Sequence, residues 1–163
     1  MGPGLGQAGS VVSDPMPPHA APDPRRLVLA DYPHHREIPA RFADMDLQRH
    51  INNVAIASFY EDGRATLNMR LFGEDLITRR RDFRFVVLES RMRYLSEAPY
   101  PATYVVGAAV TRIGSSSAEY GMGLFHDGTC VGLCDSIIVH MTDAGPTPIP
   151  PERRALMEAY QLG

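Results

Sequence analysis

One long helical pattern followed by an unbroken series of strand patterns limits the folds open to this chain more than any other feature. Apolar residues recur at helical spacing from Val54 to Leu71. The apolar stripe consists of Ile56, Phe59, Tyr60, Gly63, Leu67 and Leu71, and the opposite face carries Ser58, Glu61, Asp62, Ala65 and Asn68. This spacing predicts one amphipathic helix that stops at Gly73. Gly63 within the stripe indicates that the helix backbone lies close to another element there.

Four strand-like segments follow the helix, and no second helix separates them. They cover residues 83–95, 102–113, 117–126 and 129–141. The dipeptide Asp127-Gly128 between the last two is typical of a tight β-hairpin. Before the helix, "REIPARFAD" (residues 36–44) predicts a short strand, which Pro39 places at or near a sheet edge. A short helix in 151–161 ends the chain, with Pro151 near its start.

Length and composition favour a single α+β domain. The 163 residues provide one core, and residues 1–24, with six Pro, four Gly and no aromatic residue, are predicted to be a disordered tail before a domain covering 25–163. The net charge of -3 excludes a broad basic surface, so we expect no nucleic-acid partner. Neither a membrane span nor a signal peptide is recognisable, and we expect a cytoplasmic protein with no membrane partner.

The final strand pattern suggests a sheet covered on both faces. One predicted face carries Val131, Leu133, Ile137, Val139 and Met141, and the other carries Cys130, Gly132, Cys134, Ser136 and Ile138, which are small enough for a helix to lie close. The single helix covers one face, so the other face or an edge is left for a partner subunit, and we expect a homodimer or homotetramer. The two cysteines lie roughly 13 Å apart along one strand, too far for a disulfide. Two lone thiols do not make a metal site, and no metal or cofactor is expected.

The segment "DMDLQRHINN" (residues 44–53) concentrates the polar chemistry of the chain directly before the helix. Asn52 or Asn53 suits the N-cap position, and the first free N–H groups of the helix form a site for negative charge. Asp46 lies too early in the chain to cap this helix. A carboxylate near a helix N-terminus serves as nucleophile or as base for water, while the amides receive the developing oxyanion. Turn formation is the ordinary alternative for such an Asp.

The longer segment "RFADMDLQRHINNVAIASFYEDGR" (residues 41–64) resembles the strand-to-helix signature of the 4-hydroxybenzoyl-CoA thioesterase-like family. "SRMRYLSEAPYP", "VTRIGSSSAEY", "LFHDG" and "TPIPPERRALM" follow in the family's order. The resemblance implies the hotdog fold, a curved antiparallel sheet wrapped around a long central helix. It also implies a thioesterase acting on acyl-CoA or acyl-carrier-protein substrates in fatty acid metabolism, with coenzyme A as part of the substrate. Asp46 matches the catalytic carboxylate and Asn53 the backbone oxyanion donor.

Two further residues match catalytic positions less well. The segment is also similar to plant acyl-ACP thioesterases, whose pattern carries an Asn and a His with catalytic roles. His50 matches that His, whereas Gln48 stands in place of the Asn and orients water with looser geometry. Arg49 replaces the usual Gly of the CoA-thioesterase signature, so a positive φ there would strain the backbone.

Seven residues are candidates for contact with substrate: Arg49, Asn52, Glu61, Ser116, Ser117, Arg79 and Arg80. The arginines suit the phosphates of CoA, since a guanidinium binds phosphate through two N–H groups. Glu61 is a second-choice acid or base, and a solvated helical acid is its ordinary reading. Ser116 and Ser117 are placed to reach substrate across a subunit boundary, although a turn also explains them.

Three functions are compatible with these residues. The first is an acyl-CoA thioesterase whose acyl group occupies an apolar channel between helix and sheet, with CoA along the subunit interface. The second is a non-catalytic module that binds acyl thioesters. The third is a hydratase or dehydratase of the same fold, but these enzymes carry Asp and His five residues apart around Asn-Pro. Asp46 and His50 are four apart without that dipeptide, which argues against the third reading.

Overall fold

The structure, a computed structural model, describes residues 21–73 and 84–163, which form one antiparallel sheet wrapped around a helix. The strands are β1 (His34–Pro39), β2 (Arg84–Tyr94), β3 (Thr103–Ile113), β4 (Ser117–His126), β5 (Thr129–Thr142) and β6 (Gly145–Pro146), and the helices are α1 (Asn53–Phe72) and α2 (Pro151–Glu158). The sheet order is β1-β3-β4-β5-β2, with β6 beside β5. The predicted hotdog fold is confirmed, and β1 with its Pro39 lies at an edge as expected.

Helix α1 begins and ends where the sequence predicts. The Asn52 side chain caps it by accepting the N–H of Ala55 at 2.9 Å, and Gly73 ends it with a φ of 59°. The predicted apolar stripe is buried along its whole length. A Cβ built on Gly63 would lie 2.5 Å from Cγ1 of Val106 in β3, so the helix backbone lies directly against the sheet.

The predicted strand over residues 36–44 is wrong in its second half. β1 ends at Pro39, and residues 42–44 form a 3-10 turn. The reason is the carboxylate of Asp44, which accepts the backbone N–H of Arg41 at 2.8 Å and also pairs with the Arg41 guanidinium. These local bonds curl the chain back before it can continue a ladder.

The predicted faces of β5 are reversed at its start. Leu124 pairs with Gly132, but Phe125 pairs with Cys130, so Val131 is an extra residue in the ladder. A β-bulge of this kind inverts the alternation of side chains. Cys130 therefore packs beside Phe125 and Tyr32 on the outer face, while Val131 joins the core under the helix. Both cysteines are free thiols.

The outer face of the sheet is covered by the chain itself. Residues 24–31 form two short 3-10 turns, and Arg26 from the first is buried, where it donates to the carbonyls of Met122 and Cys134 and pairs with Asp135. Tyr32 lies over Gly107 and Gly123, where an added Cβ would meet the Tyr32 side chain at 2.7 and 2.8 Å.

Within residues 21–73 and 84–163, β2 has a neighbouring strand on one side only. Its exposed apolar residues include Val86, Val87, Leu88 and Tyr94, which are 47%, 42%, 72% and 49% exposed. None of the helices in the described ranges is both long and apolar enough to cross a lipid bilayer.

The contact between Gly63 and Val106 gives a first testable prediction. Gly63→Ala should lower the free energy of unfolding by about 1–2 kcal/mol, because steric overlap with the stiff Val106 outweighs a helix-propensity gain of about 1 kcal/mol. In a Val106→Ala background the same change should be neutral or stabilising. Urea unfolding of the four proteins in this double-mutant cycle is the measurement. Stabilisation by Gly63→Ala alone would contradict the close approach.

Candidate active site

A tight hairpin carries Asp46 to the N-terminal end of α1. Met45 pairs with Ile51, and the N–H of Asp46 donates to the carbonyl of His50 at 2.8 Å. Within this loop Oδ1 of Asp46 accepts the N–H groups of Gln48 at 2.8 Å and His50 at 3.0 Å. The loop therefore folds around one carboxylate oxygen, in the manner of an Asx turn. The other oxygen, Oδ2, has no hydrogen-bond partner in residues 21–73 and 84–163.

The segment after β2 holds the hairpin from the other side. The N–H of Ile51 donates to the carbonyl of Ala98 at 2.7 Å, and that of Tyr100 donates to the carbonyl of Arg49 at 3.1 Å. His50 pairs with this segment, and its Nε2 lies 3.3 Å from Oε2 of Glu97. The loop is thus anchored at both ends by backbone bonds, which keeps Asp46 in a defined position.

The start of α1 leaves two N–H groups available. Ala55 donates to the Asn52 side chain and Ile56 to the Asn52 carbonyl, whereas the N–H groups of Asn53 and Val54 have no acceptor within the described parts of the chain. Such first-turn amides carry the positive end of the helix dipole. They can stabilise an oxygen that becomes negative during a reaction.

An open cleft of about 530 Å³ brings the predicted catalytic residues together. Asp46, Gln48, His50 and Asn53 all line it. The remaining lining residues are Ile51, Ile56, Tyr94, Leu95, Ser96, Glu97 and Ala98. The arrangement combines a carboxylate, an amide, an imidazole and a helix N-terminus in one solvent-accessible site. The catalytic roles of these four residues stay predictions.

Other predicted contact residues lie elsewhere in the protomer. Glu61 forms an ion pair with Arg64 and lines a separate cleft beside Arg41, while Ser117 lines a third cleft. The carbonyl of Ser116 accepts the N–H of His140. None of these three residues lines the Asp46 cleft.

Asn52 is engaged in structural bonds. Besides capping α1, its Nδ2 donates to the carbonyl of Asp44 at 2.8 Å. Arg79 and Arg80 lie outside the described residues. No group of three or more His, Cys, Asp and Glu side chains suited to a metal ion occurs in the described portion of the chain.

Asp44 has a structural role. The residue is 3% exposed, and Arg41 donates to both of its carboxylate oxygens. Hydrogen bonds from Arg41 lower the pKa of this carboxyl, against the opposing effect of burial. Asp44 is therefore an anion that holds the turn before the hairpin, and it belongs to a cleft separate from that of Asp46.

The far wall of the cleft was not predicted from sequence. Tyr94 is the last residue of β2, and Leu95 and Glu97 follow it, more than forty residues after Asp46. No periodicity or motif spacing indicates this contact, because it depends on how the sheet curves around α1. The backbone bonds between the two segments could be found only in three dimensions.

Arg49 has the backbone strain that a residue in place of Gly implies. Its φ is 65°, a left-handed conformation that costs a residue with a Cβ about 1 kcal/mol or more. Arg49→Gly should therefore raise the free energy of unfolding by about 1 kcal/mol, whereas Arg49→Ala should not. Chemical denaturation measures both changes. If the alanine variant is stabilised as much as the glycine variant, the side chain rather than the backbone is responsible.

The sequence and the fold of this chain resemble those of known proteins. A family model described as the thioesterase superfamily matches residues 48–133, more than half of the chain. No curated protein matches significantly.

Solved structures of similar fold include several bacterial proteins. The PA5185 protein from Pseudomonas aeruginosa is 25% identical, with a TM-score of 0.73 over 85% of this chain and 98% of that one. A predicted thioesterase from Bacillus stearothermophilus is 27% identical, with a TM-score of 0.71 over 79% and 98% of the two chains. A thioesterase from Thermus thermophilus, solved with coenzyme A and Zn, is 22% identical, with a TM-score of 0.70 over 80% and 96%, and it shows likeness of fold alone. With this fold and a family match that runs from Gln48 through α1 into the start of β5, the chain belongs to the thioesterase superfamily.

Proposed function

We propose that this protein hydrolyses acyl thioesters of coenzyme A in the Asp46 cleft. The observation that carries the proposal is the joint placement of Asp46, with an unbonded Oδ2, and Asn53, with an unbonded N–H, in one cleft. A thioester carbonyl needs both an acceptor for its developing negative charge and a nucleophile or base beside it. The resemblance to the 4-hydroxybenzoyl-CoA thioesterase-like family supports these roles and favours CoA over acyl carrier protein.

The reaction follows from these two groups. The carbonyl oxygen accepts the N–H of Asn53, which makes the carbonyl carbon more electrophilic. Asp46 Oδ2 then takes a proton from water as the water oxygen bonds to that carbon. When the tetrahedral intermediate collapses, the carbon–sulfur bond breaks, and the sulfur leaves with the proton that Asp46 had taken. The products are the free acid and the thiol of CoA, and no metal or cofactor takes part in this scheme.

Direct attack by Asp46 is compatible with the same geometry. In that case Oδ2 bonds to the carbonyl carbon, the thiolate leaves, and water hydrolyses the resulting anhydride. Gln48 and His50 flank Asp46 in the cleft and would orient the water. Arg49, exposed at the tip of the hairpin, would contact a phosphate of CoA. Arg79 and Arg80 remain candidates for the same phosphates.

A binding module without catalysis is the second candidate. The observation that favours it is the double hydrogen bond to Oδ1, because turn formation by itself explains an Asp at position 46. The two functions differ in whether the charge of Asp46 is needed.

Asp46→Asn separates these possibilities. Asn keeps an acceptor oxygen for the N–H groups of Gln48 and His50, so the loop should stay folded while the charge is lost. We expect kcat for acyl-CoA hydrolysis to fall by about a hundredfold or more with a panel of chain lengths. Thiol release is the measurement.

The matched control is Asp127→Asn, which also exchanges Asp for Asn in a tight turn, at a φ of 47° and outside the cleft. Its kcat should equal that of the wild type. Undiminished hydrolysis by Asp46→Asn would remove Asp46 from the mechanism. A wild type that hydrolyses no acyl-CoA or acyl-carrier-protein substrate would favour the binding module.

We also propose that two copies pair through β2. Among the described residues this edge strand has a neighbouring strand on one side only, and it carries exposed apolar side chains, whereas the outer face is covered by residues 24–32. A homodimer, or a homotetramer built from such dimers, would cover this edge. In such a dimer, substrate bound to one subunit would lie within reach of Glu61, Ser116 and Ser117 of the other.

Leu88 tests this pairing, since it is 72% exposed in β2. Light scattering should give twice the chain mass, or four times, for the wild type. Leu88→Lys should shift the protein toward monomer, because a buried unpaired ammonium opposes association. Leu156→Lys, at a 43% exposed position on α2, is the control and should not change the mass. A monomeric wild type would contradict the pairing.

A further inference from the structure

The side of α1 that faces β5 and β2 carries residues one helical turn apart. Ile56 lines the Asp46 cleft, Tyr60 follows four residues later, and Arg64 follows after four more. The closest approach of the helix to the sheet lies on another side, where Gly63 meets Val106 in β3. On the side toward β5 and β2 the helix instead carries long side chains. The first of them beyond the cleft is Tyr60.

The hydroxyl of Tyr60 lies behind the inner wall of the cleft. A Cβ built on Gly132 would be 2.7 Å from this hydroxyl and 3.2 Å from the carbonyl oxygen of Arg93. Gly132 pairs with Tyr94 across the β5–β2 ladder, and Tyr94 itself lines the cleft. The hydroxyl therefore lies beside the strand pair that carries Tyr94, on the residue one helical turn after Ile56, and both of these residues line the cleft. Tyr94 is 49% exposed.

Tyr60 differs from every other buried tyrosine in the described ranges. Tyr32 donates to the carbonyl of Arg26, Tyr104 to that of Pro99, and Tyr120 to Oδ1 of Asn68. Tyr60 is only 2% exposed, yet its hydroxyl has no hydrogen-bond partner among the described residues. A buried hydroxyl without a partner is costly, and most such groups in proteins are paired. Burial raises the pKa of Tyr60, so the hydroxyl keeps its proton at neutral pH and can donate a hydrogen bond.

Polar groups continue beyond Tyr60 along the same side of the helix. Nη1 of Arg64 lies 3.4 Å from the hydroxyl of Ser136, which is 2.9 Å from that of Ser90. The sequence predicted an apolar channel between helix and sheet. The β5–β2 side of that space carries hydroxyl and guanidinium groups beside the apolar side chains of Cys134 and Ile138. A purely hydrocarbon acyl chain would leave these groups without new partners, whereas an oxygen on the chain would supply one.

We propose that Tyr60 selects acyl groups that carry an oxygen function in their distal part, by donating its hydroxyl hydrogen to that oxygen. The acyl chain would start at the N–H of Asn53 and pass between Ile56 and Tyr94. Tyr60 follows Asn53 by seven positions, so its backbone lies about 10 Å along the helix from the oxyanion site. The preferred substrates are acyl thioesters with a hydroxyl or carbonyl at that distance. This inference rests on the proposed hydrolysis at Asp46 for its substrate, but its test includes binding alone.

The experiment compares octanoyl-CoA with ω-hydroxyoctanoyl-CoA, which have equal chain length and differ in one distal oxygen. For wild type, kcat/KM should be about tenfold higher for the hydroxylated substrate, the value of one hydrogen bond to a group otherwise left unpaired. Tyr60→Phe should lower this ratio to about one. Tyr120→Phe removes a hydroxyl that already has a protein partner, and it should leave the ratio unchanged.

Two further measurements exclude a purely structural role and a failure of catalysis. The melting temperature should stay equal or rise in Tyr60→Phe, because no protein hydrogen bond is lost, and it should fall in Tyr120→Phe. Calorimetric titration of both CoA esters into Asp46→Asn, with and without Tyr60→Phe, measures the same discrimination when no hydrolysis occurs.

Each outcome supports or overturns the proposed role of Tyr60. A tenfold preference that disappears with Tyr60→Phe supports the proposal, whether it is seen in kcat/KM or in the dissociation constant. No preference in wild type, or an equal preference in Tyr60→Phe, overturns it. If Tyr60→Phe lowers the melting temperature but leaves the preference for the hydroxylated ester unchanged, the hydroxyl donates to a bound water, and the proposal is overturned. If wild type binds with discrimination but hydrolyses neither ester, the proposed hydrolysis fails and the role of Tyr60 stands.

Discussion

The close packing of α1 on β3 at Gly63 is the contact on which the rest of the structure depends. With no Cβ at this position, the helix backbone approaches Val106 more closely than any other residue would permit. That approach determines the height of the helix over the sheet and therefore where its N-terminus lies. The cleft forms because the end of β2 and the hairpin before the helix meet at this N-terminus. A shift of α1 away from the sheet would separate the amide of Asn53 from Asp46.

The two carboxylate oxygens of Asp46 have different surroundings. Oδ1 organises the loop through two backbone N–H groups, and Oδ2 remains available in the cleft. The bonds to Oδ1 account for the turn, and the proposed catalytic role rests on Oδ2. The strained backbone of Arg49 belongs to the same turn. Arg49 keeps this left-handed conformation although it carries a Cβ, because backbone hydrogen bonds anchor the loop on both sides.

Much of the architecture could be read from periodicity. The apolar stripe of α1, its cap at Asn52, its end at Gly73 and the four strands after it all follow from local patterns. Errors occurred where a local pattern was overridden by specific bonds. Asp44 turned the end of the first predicted strand into a 3-10 turn, and the bulge at Val131 exchanged the faces of Cys130 and Val131. Both changes depend on individual hydrogen bonds and not on the spacing of apolar residues. The periodicity of the sequence therefore does not reveal them.

By itself, the sequence determined the elements, their order, and the grouping of Asp46, Gln48, His50 and Asn53, since all four lie within eight residues of a helix start. Only the tertiary structure decided what faces them. The cleft wall from Tyr94 to Ala98 and the unpaired hydroxyl of Tyr60 beside Gly132 arise from contacts between distant parts of the chain. Local patterns record the preferences of neighbouring residues, whereas the partner of a buried polar group depends on how the sheet curves around the helix. For that reason the residues on the hairpin side of the cleft could be grouped from the sequence, whereas the opposite wall and the surroundings of Tyr60 could not.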